Sequence, residues 1–167
     1  MKKLLFILVF ISSCITQKGI KGEYQNKPFI IYSDKSIDEL WSNIIDLFAQ
    51  NGLPIGMMDK PDGFITSGKI SMISRYSFEN KNGQLIHPTA WIVLGKIANP
   101  NMELKPSEVT ADWNIRIKDL GKNRSINVNL VNIEASLISN KGQVMRFGNC
   151  ASTGIFEQDI SKFIAAH

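Results

Sequence analysis

Histidine and cysteine, which build many catalytic and metal centres, are scarce in this sequence. Its 167 residues include two histidines, His87 and His167, and two cysteines, Cys14 and Cys150. None of the spacings His-x-x-x-His, Cys-x-x-Cys or Glu-x-x-His occurs, which excludes the zinc sites built on such pairs. A Gly-x-Ser-x-Gly nucleophile motif is also missing. The sequence therefore predicts no metal and no cofactor.

Cys150 and His87 remain as a candidate nucleophile and base. A thiol and an imidazole that are distant in sequence can meet in a fold and form a catalytic pair. Cys150, however, ends a segment with the pattern of a core strand, where a small buried thiol is common. The acidic residues have local roles: Asp59 and Asp62 flank a turn, where Asp side chains bond to the backbone. We therefore expect a protein that is not an enzyme.

Runs of basic residues are missing as well. The chain carries 19 Lys and Arg against 15 Asp and Glu, a net charge of +4 at pH 7. Lys2 and Lys3 lie in a segment that looks like a cleaved signal, and its removal leaves +2. The remaining basic residues are scattered along the chain. Their order predicts neither nucleic-acid binding nor attraction to an anionic lipid surface.

The apolar run at the N-terminus is too short to cross a bilayer. In "MKKLLFILVFISSC" it covers residues 4–11, whereas a spanning helix needs about 20 apolar residues. Two lysines precede the run and small residues follow it, as in an export signal. The motif Ile11-Ser12-Ser13-Cys14 resembles the lipobox of bacterial lipoproteins.

This resemblance implies that residues 1–13 are a signal peptide and that Cys14 is lipidated. Cys14 would carry a diacylglyceryl thioether and an N-acyl chain such as palmitate. Several acyl chains give stable anchoring, because each buried CH₂ contributes about 0.8 kcal/mol. The alternative is that Cys14 is merely a residue of a cleaved signal. With Cys14 acylated, Cys150 has no partner for an intramolecular disulfide.

The segment that follows predicts a flexible tether over residues 14–27. It is polar, contains glycine and has no hydrophobic period. A single α+β domain is expected over 28–167, which is long enough for one hydrophobic core.

The clearest helix is predicted over residues 36–51. Ser36 and Glu39 form a capping box, and apolar residues then recur at steps of three and four. Gly52 supplies a left-handed stop, and Pro54 prevents continuation. A second helix of the same amphipathic type is predicted over residues 154–166, with Thr153 as its cap.

Strand patterns separated by turn residues fill most of the remaining chain. The predicted strands are 28–33, 55–58, 64–74, 89–97, 110–119, 125–139 and 144–151. Within 125–139 the alternation of apolar and polar residues slips at Leu130-Val131, which predicts a β-bulge. The expected architecture is a curved antiparallel sheet of about five to six strands, with the N-terminal and the C-terminal helix packed on one face.

The stretch "GFITSGKI" at residues 63–70 resembles a phosphate-binding loop. Such a loop needs a buried strand before it, a helix after it and a final Ser or Thr for magnesium. Here a turn precedes the motif, strand-forming residues follow it, and Ile70 takes the place of the metal ligand. We interpret the stretch as part of a β-hairpin and expect no nucleotide.

The run from Asp38 to Ile70, "DELWSNIIDLFAQNGLPIGMMDKPDGFITSGKI", resembles helix-grip domains of envelope lipoproteins. One example is the domain of the barrel-assembly accessory lipoprotein BamC. The chain also looks like lipoproteins of Bacteroidota, whose final segment resembles "CASTGIFEQDI". The resemblance implies a helix-grip fold and a lipid-anchored accessory role. The positions that carry it are Trp41, Asp59, Gly63, Ile65 and Thr66.

Three tryptophans are the candidates for a binding groove. One interpretation is that Trp41, Trp91 and Trp113 are all core residues. The other is that one of them lies in a groove between the first helix and the sheet. The resemblance to helix-grip domains implies such a groove, because these domains can hold apolar ligands or peptides there. Arg75-Tyr76 and Arg146-Phe147 are candidates for its rim, although surface alternation explains them equally well.

The sequence thus favours a non-catalytic lipoprotein of the outer membrane, anchored through Cys14, that acts as a scaffold for another envelope protein. No Asp follows Cys14, unlike in inner-membrane retention signals, and no acidic cluster resembles a surface-export signal. Both features favour the periplasmic face. The alternative is a carrier that binds a small apolar ligand in a cavity between helix and sheet.

Overall fold

The structure, a computed structural model, describes residues 16–25, 27–99, 102–139 and 142–166. In these residues the fold is α+β, with two helices and mostly antiparallel strands. The elements are β1 (Thr16–Lys18), β2 (Phe29–Ser33), α1 (Ile37–Gln50), β3 (Met57–Asp59), β4 (Phe64–Thr66), β5 (Ile70–Ser71), β6 (Tyr76–Phe78), β7 (Ile92–Leu94), β8 (Lys96–Asn99), β9 (Met102–Glu103), β10 (Glu108–Asp119), β11 (Arg124–Ile138), β12 (Val144–Arg146), β13 (Cys150–Ser152) and α2 (Ile155–Ala166).

The long strands β10 and β11 organise the largest sheet. Among the described residues this sheet has seven strands in the order β12-β11-β10-β4-β3, with β2 paired to β11 and β5 paired to β10. All of these pairs are antiparallel. Alternate residues of β10 and β11 are buried, so one face of the sheet builds the core.

The predicted bulge is confirmed in β11. The register between β10 and β11 shifts between Thr110 and Asp112, so that two residues of β11, Asn132 and Ile133, lie opposite one. Asn132 adopts a φ of 52°, a left-handed conformation that asparagine tolerates better than most residues. The slip lies one to two residues beyond the predicted position.

Helix α1 forms as its sequence predicts. The Glu39 amide donates to Ser36 Oγ at 3.2 Å, and the Ser36 amide donates to Glu39 Oε2 at 2.7 Å, which completes the capping box. Gly52 ends the helix with a φ of 61°. The helix buries Leu40, Ile44, Leu47 and Phe48.

Helix α2 closes the chain against the same core. Phe156, Ile160 and Ile164 join the buried cluster formed by α1 and the inner face of the sheet. At its start, Thr153 Oγ1 accepts from the Ile155 amide at 3.3 Å and donates to the Ala90 carbonyl at 2.6 Å. The predicted cap residue therefore contacts the helix start and also ties it to the segment before β7.

Two small sheets depart from the predicted architecture. The described residues form a sheet β13-β7-β6, in which β6 and β7 run parallel, and a sheet β1-β8-β9. The predicted strand 89–97 is divided between them as β7 and β8, and 144–151 is divided into β12 and β13. The expectation of one antiparallel sheet of five to six strands therefore misses both the number of strands and the parallel pair.

The N-terminal part of the domain also differs from the prediction. Residues 16–25 were expected in a flexible tether, but β1 pairs antiparallel with β8, and Gln25 bridges to Ser152. Backbone pairing satisfies the polar groups of this segment against the domain. The folded domain therefore begins before residue 28. The tether residues 14, 15 and 26, the signal peptide 1–13 and the lipidation site Cys14 lie outside the described residues.

The stretch that resembles a phosphate loop is confirmed as part of a hairpin. Strands β3 and β4 are antiparallel across the turn at Lys60–Gly63, in which the Gly63 amide donates to the Lys60 carbonyl at 3.1 Å. Gly63 has a φ of 65°, and a Cβ there would collide with the Ile117 carbonyl oxygen. The turn and the close approach of β10 explain this glycine without a ligand.

Candidate functional site

A large groove lies where the end of α1, the start of α2 and the β5–β6 segment meet. Its volume is about 1130 Å³, and it is open to solvent. Both apolar and polar side chains line it. The walls are formed by Leu47, Gln50, Asn51, Gly52, Leu53, Pro54, Ile70, Ser71, Met72, Ser74, Arg75, Pro88, Thr89, Trp91, Ile155, Asp159, Ile160 and Phe163.

Trp91 and Arg75 form a rigid part of the groove wall. The Trp91 ring packs edge-on against Phe156, with 5.1 Å between centroids, and the Arg75 guanidinium lies 4.5 Å above its centroid. The Arg75 carbonyl accepts a hydrogen bond from the Trp91 amide at 2.8 Å. Backbone and side chain thus fix the two residues together, and the stacked cation gains a cation–π attraction.

The other two candidate tryptophans lie elsewhere. Trp113 is fully buried and stacks on Phe48, while Trp41 is partly buried against the core. Neither lines the groove, so the structure does not bring the three together. Trp91 is the candidate in a groove wall, and of the two proposed rim pairs only Arg75 lines the same groove.

A buried carboxyl group positions α2, and with it one wall of the groove. Glu157 has no exposed surface, and its carboxyl oxygens accept from the Leu130 amide at 3.1 Å and the Ser152 hydroxyl at 2.8 Å. Burial raises the pKa of Glu157, although these hydrogen bonds oppose the effect. The sequence pattern places Glu157 merely near a helix start and carries no signal for this role.

A second carboxylate holds the N-terminal segment. Glu79 is buried and accepts from the Lys21 amide at 2.8 Å, the Gly22 amide at 2.7 Å and the Tyr24 hydroxyl at 2.8 Å. Desolvation alone would raise the pKa of Glu79, but these donors outweigh it and lower the pKa. Desolvation and the neighbouring carboxylate raise the pKa of Tyr24 to about 12. We call this arrangement the Glu79 clasp.

The thiol and imidazole named as a candidate pair line different cavities. His87 borders a cavity beside the groove, whereas Cys150 borders a shallow one near Gly148. The Cys150 thiol donates to the Phe147 carbonyl at 3.6 Å, and burial raises its pKa to about 11. A thiol with so high a pKa is a poor nucleophile at neutral pH.

The remaining charged candidates have structural partners. Lys69, the lysine of the phosphate-loop resemblance, pairs with Glu134 at 2.7 Å, and Lys60 pairs with Asp38 at 2.7 Å. Both pairs are largely exposed, where ion pairs contribute little stability. Among the residues with assigned structure, no three His, Cys, Asp or Glu side chains form a group that could hold a metal ion.

No protein-family model and no curated protein matches this chain. In the described ranges, neither helix combines the length and the apolar character that crossing a bilayer requires.

Proposed function

We propose that this protein is a non-catalytic, lipid-anchored accessory protein of the bacterial outer membrane, of a helix-grip type found in Bacteroidota. In this proposal Cys14 carries the lipid and the domain faces the periplasm. The groove beside Trp91 binds a segment of another envelope protein. The lipobox and the signal pattern support the anchor, and the groove supports the binding role.

The observation that carries the binding proposal is the character of this groove. It is open and bordered by two helix ends, and it combines the Trp91–Arg75 stack with apolar residues such as Leu53 and Phe163. Rigid aromatic and arginine side chains contribute most to protein interfaces. The carboxylate of Asp159 and the amide of Gln50 provide polar contacts for a peptide backbone.

The alternative, a carrier for a small apolar ligand, fits this groove less well. Ligand pockets of that kind enclose most of the ligand and are lined mainly by apolar side chains. Here polar residues and two charged ones stand in the wall, and the groove is open. Native mass spectrometry of the purified protein tests the carrier: a stoichiometric apolar molecule would favour it over the scaffold.

A site-specific crosslink tests the proposed role directly. We would place a photoreactive phenylalanine at Thr89 or Leu53 in the groove and, as a control, at Lys118, which is exposed on β10 and outside it. The full-length protein would be irradiated in its own host and the products identified by mass spectrometry. We expect one envelope protein to be captured from the groove positions and not from Lys118.

Two variants sharpen this experiment. Ser71→Arg places a bulky side chain in the groove from an exposed position of β5, and we expect it to abolish the crosslink. Cys14→Ala should release the protein from the membrane and weaken capture. Equal capture from the groove and from Lys118, or capture that survives Ser71→Arg, would contradict the proposal.

A further inference from the structure

A second cavity of about 540 Å³ adjoins the groove on the other side of Arg75. Three of its lining side chains are nitrogen donors: Arg75, His87 and Lys105. The hydroxyl groups of Ser74 and Thr89 also line it. No acidic residue is among the described residues that form this cavity.

The two basic side chains Arg75 and Lys105 of this cavity have no acidic partner among the described residues. Among the residues placed by the structure, neither Arg75 nor Lys105 forms a salt bridge or a side-chain hydrogen bond with a carboxylate. Two cations that share a cavity without a counter-charge raise its positive potential. An anion that enters therefore gains electrostatic energy from both.

The Arg75 guanidinium and the backbone of His87 are held in place before any ligand binds. The Arg75 guanidinium stacks on Trp91, and the Arg75 carbonyl accepts from the amides of Trp91 and Ile92 at 2.8 and 3.1 Å. The His87 amide donates to Ser77 Oγ at 2.9 Å, and the His87 carbonyl accepts from Ala90 at 3.1 Å. Prior ordering of this kind lowers the entropy cost of binding.

Apolar side chains complete the cavity. Ile73 and Ile86 line it and remain 42% and 48% exposed, and Phe78 lies at its base, 7% exposed. Large aliphatic side chains that are exposed beside unpaired cations fit a ligand that has an apolar part and an anionic part. The planar fork of arginine matches an oxyanion through two parallel hydrogen bonds.

We propose that this cavity binds an oxyanion, either a carboxylate or a phosphate, carried on an apolar group. Arg75 and Lys105 hold the oxyanion, and Ile73 and Ile86 cover the apolar part. The volume lies within the range of small-ligand sites, roughly 300–1,000 Å³. Ser74, Arg75 and Thr89 line both this cavity and the groove, but the proposed binding of an oxyanion does not depend on the protein-binding role of the groove.

Isothermal titration calorimetry on the full-length protein in a neutral detergent tests the site. The probes are N-acetylphenylalaninate, its neutral analogue N-acetylphenylalaninamide, and phenyl phosphate, each also titrated into detergent alone. We expect at least one anionic probe to bind no less than tenfold tighter than the neutral amide. The stronger of the two anions identifies the oxyanion as carboxylate or phosphate.

The variants Arg75→Gln and Lys105→Gln remove one charge each, and each should weaken binding of the anionic probe at least tenfold. Lys118→Gln removes a charge elsewhere and should leave binding unchanged. Lys105 is exposed and outside the core, so its variant remains informative even if Arg75→Gln fails to fold. Equal affinity for the anionic and neutral probes, or binding that both variants retain, would overturn the proposal. The crosslinks at Leu53 and Lys118 report separately on the groove.

Discussion

The rings of Phe48 and Trp113 are stacked, with 3.9 Å between their centroids and an angle of 3° between their planes. Phe48 belongs to α1 and Trp113 to β10, and neither side chain has exposed surface. The contact joins the first helix to the central strand of the main sheet. It therefore carries much of the packing that sets the position of α1 and of the groove at its end.

Replacing Phe48 with Ala should destabilise the protein strongly. The change leaves a cavity against Trp113, and such core truncations cost about 3–5 kcal/mol. Phe48→Leu keeps most of the volume and should cost less. Urea unfolding followed by tryptophan fluorescence measures the free energy of unfolding of both variants. The control is Val144→Ala, at a position that is 61% exposed, and its free energy of unfolding should lie within about 0.5 kcal/mol of wild type. A Phe48→Ala variant as stable as the control would contradict this packing.

Glu79→Gln should release the N-terminal segment. The substitution removes the charge that three donors share, and charge-assisted hydrogen bonds are about twice as strong as neutral ones. We expect the Lys21 and Gly22 amides to exchange with deuterium roughly 10- to 100-fold faster, since a tenfold change corresponds to about 1.4 kcal/mol. Glu23→Gln, at an exposed neighbour, should leave these rates unchanged.

The same clasp predicts a pH dependence. The folded pKa of Glu79 lies below its ordinary value of 4.5, so its stabilisation is fully present above pH 4.5 and is lost as the pH falls through the folded pKa. The Lys21 and Gly22 amides should therefore be less protected against hydrogen exchange in acid. In Glu79→Gln the pKa of Tyr24 should fall below about 12 while staying above 10, because its desolvation remains. Ultraviolet titration of tyrosine measures this pKa. A Tyr24 pKa that is the same in Glu79→Gln as in the wild type would contradict the Glu79 clasp.

Glu157 should behave in the opposite way. Its folded pKa is raised, so the folded state binds the proton more tightly and stability falls as the pH rises from 4.5 through the folded pKa. Glu157→Gln removes this penalty and should be neutral or stabilising at pH 7. Glu157→Ala leaves the Leu130 amide and the Ser152 hydroxyl without their acceptor and should cost about 1–3 kcal/mol. Equal unfolding midpoints for the two variants would refute this account.

Cys150 should react slowly with alkylating reagents. A pKa of about 11 instead of 9.0 lowers the thiolate fraction at pH 8 by a factor of roughly 100. Iodoacetamide labelling followed by mass spectrometry should therefore be about 100-fold slower in the native state than in urea. Labelling of the native protein at the unfolded rate would reopen the question of a reactive thiol.

The sequence predicts those elements whose signals are local. The capping box at Ser36 and Glu39 and the stop at Gly52 define α1, and the alternation in 110–119 and 125–139 defines β10 and β11. The missed features depend on contacts between distant segments. Gly95 lies between β7 and β8, within the predicted strand 89–97, and a side chain there would meet the Lys18 carbonyl and Asn149, which no local pattern reveals.

The candidate site also combines features with a local sequence signal and features that depend on contacts between distant segments. A tryptophan in a groove wall can be expected from composition, but which of the three occupies it depends on how α1 and α2 meet. Arg75 and Trp91 are 16 positions apart in the sequence and touch only because β6 and β7 run side by side. Glu79 and Glu157 look like ordinary surface acids until the fold supplies their donors.

Strand β1 begins at Thr16, two positions after Cys14, and is hydrogen-bonded to β8. Two residues of extended chain reach at most about 7 Å. If Cys14 carries the proposed lipid, the linker between the membrane and the domain is therefore very short. The domain would then stay close to the bilayer, with its β1 edge next to the headgroups. A partner would have to present its binding segment close to the membrane surface, within the height of a single domain.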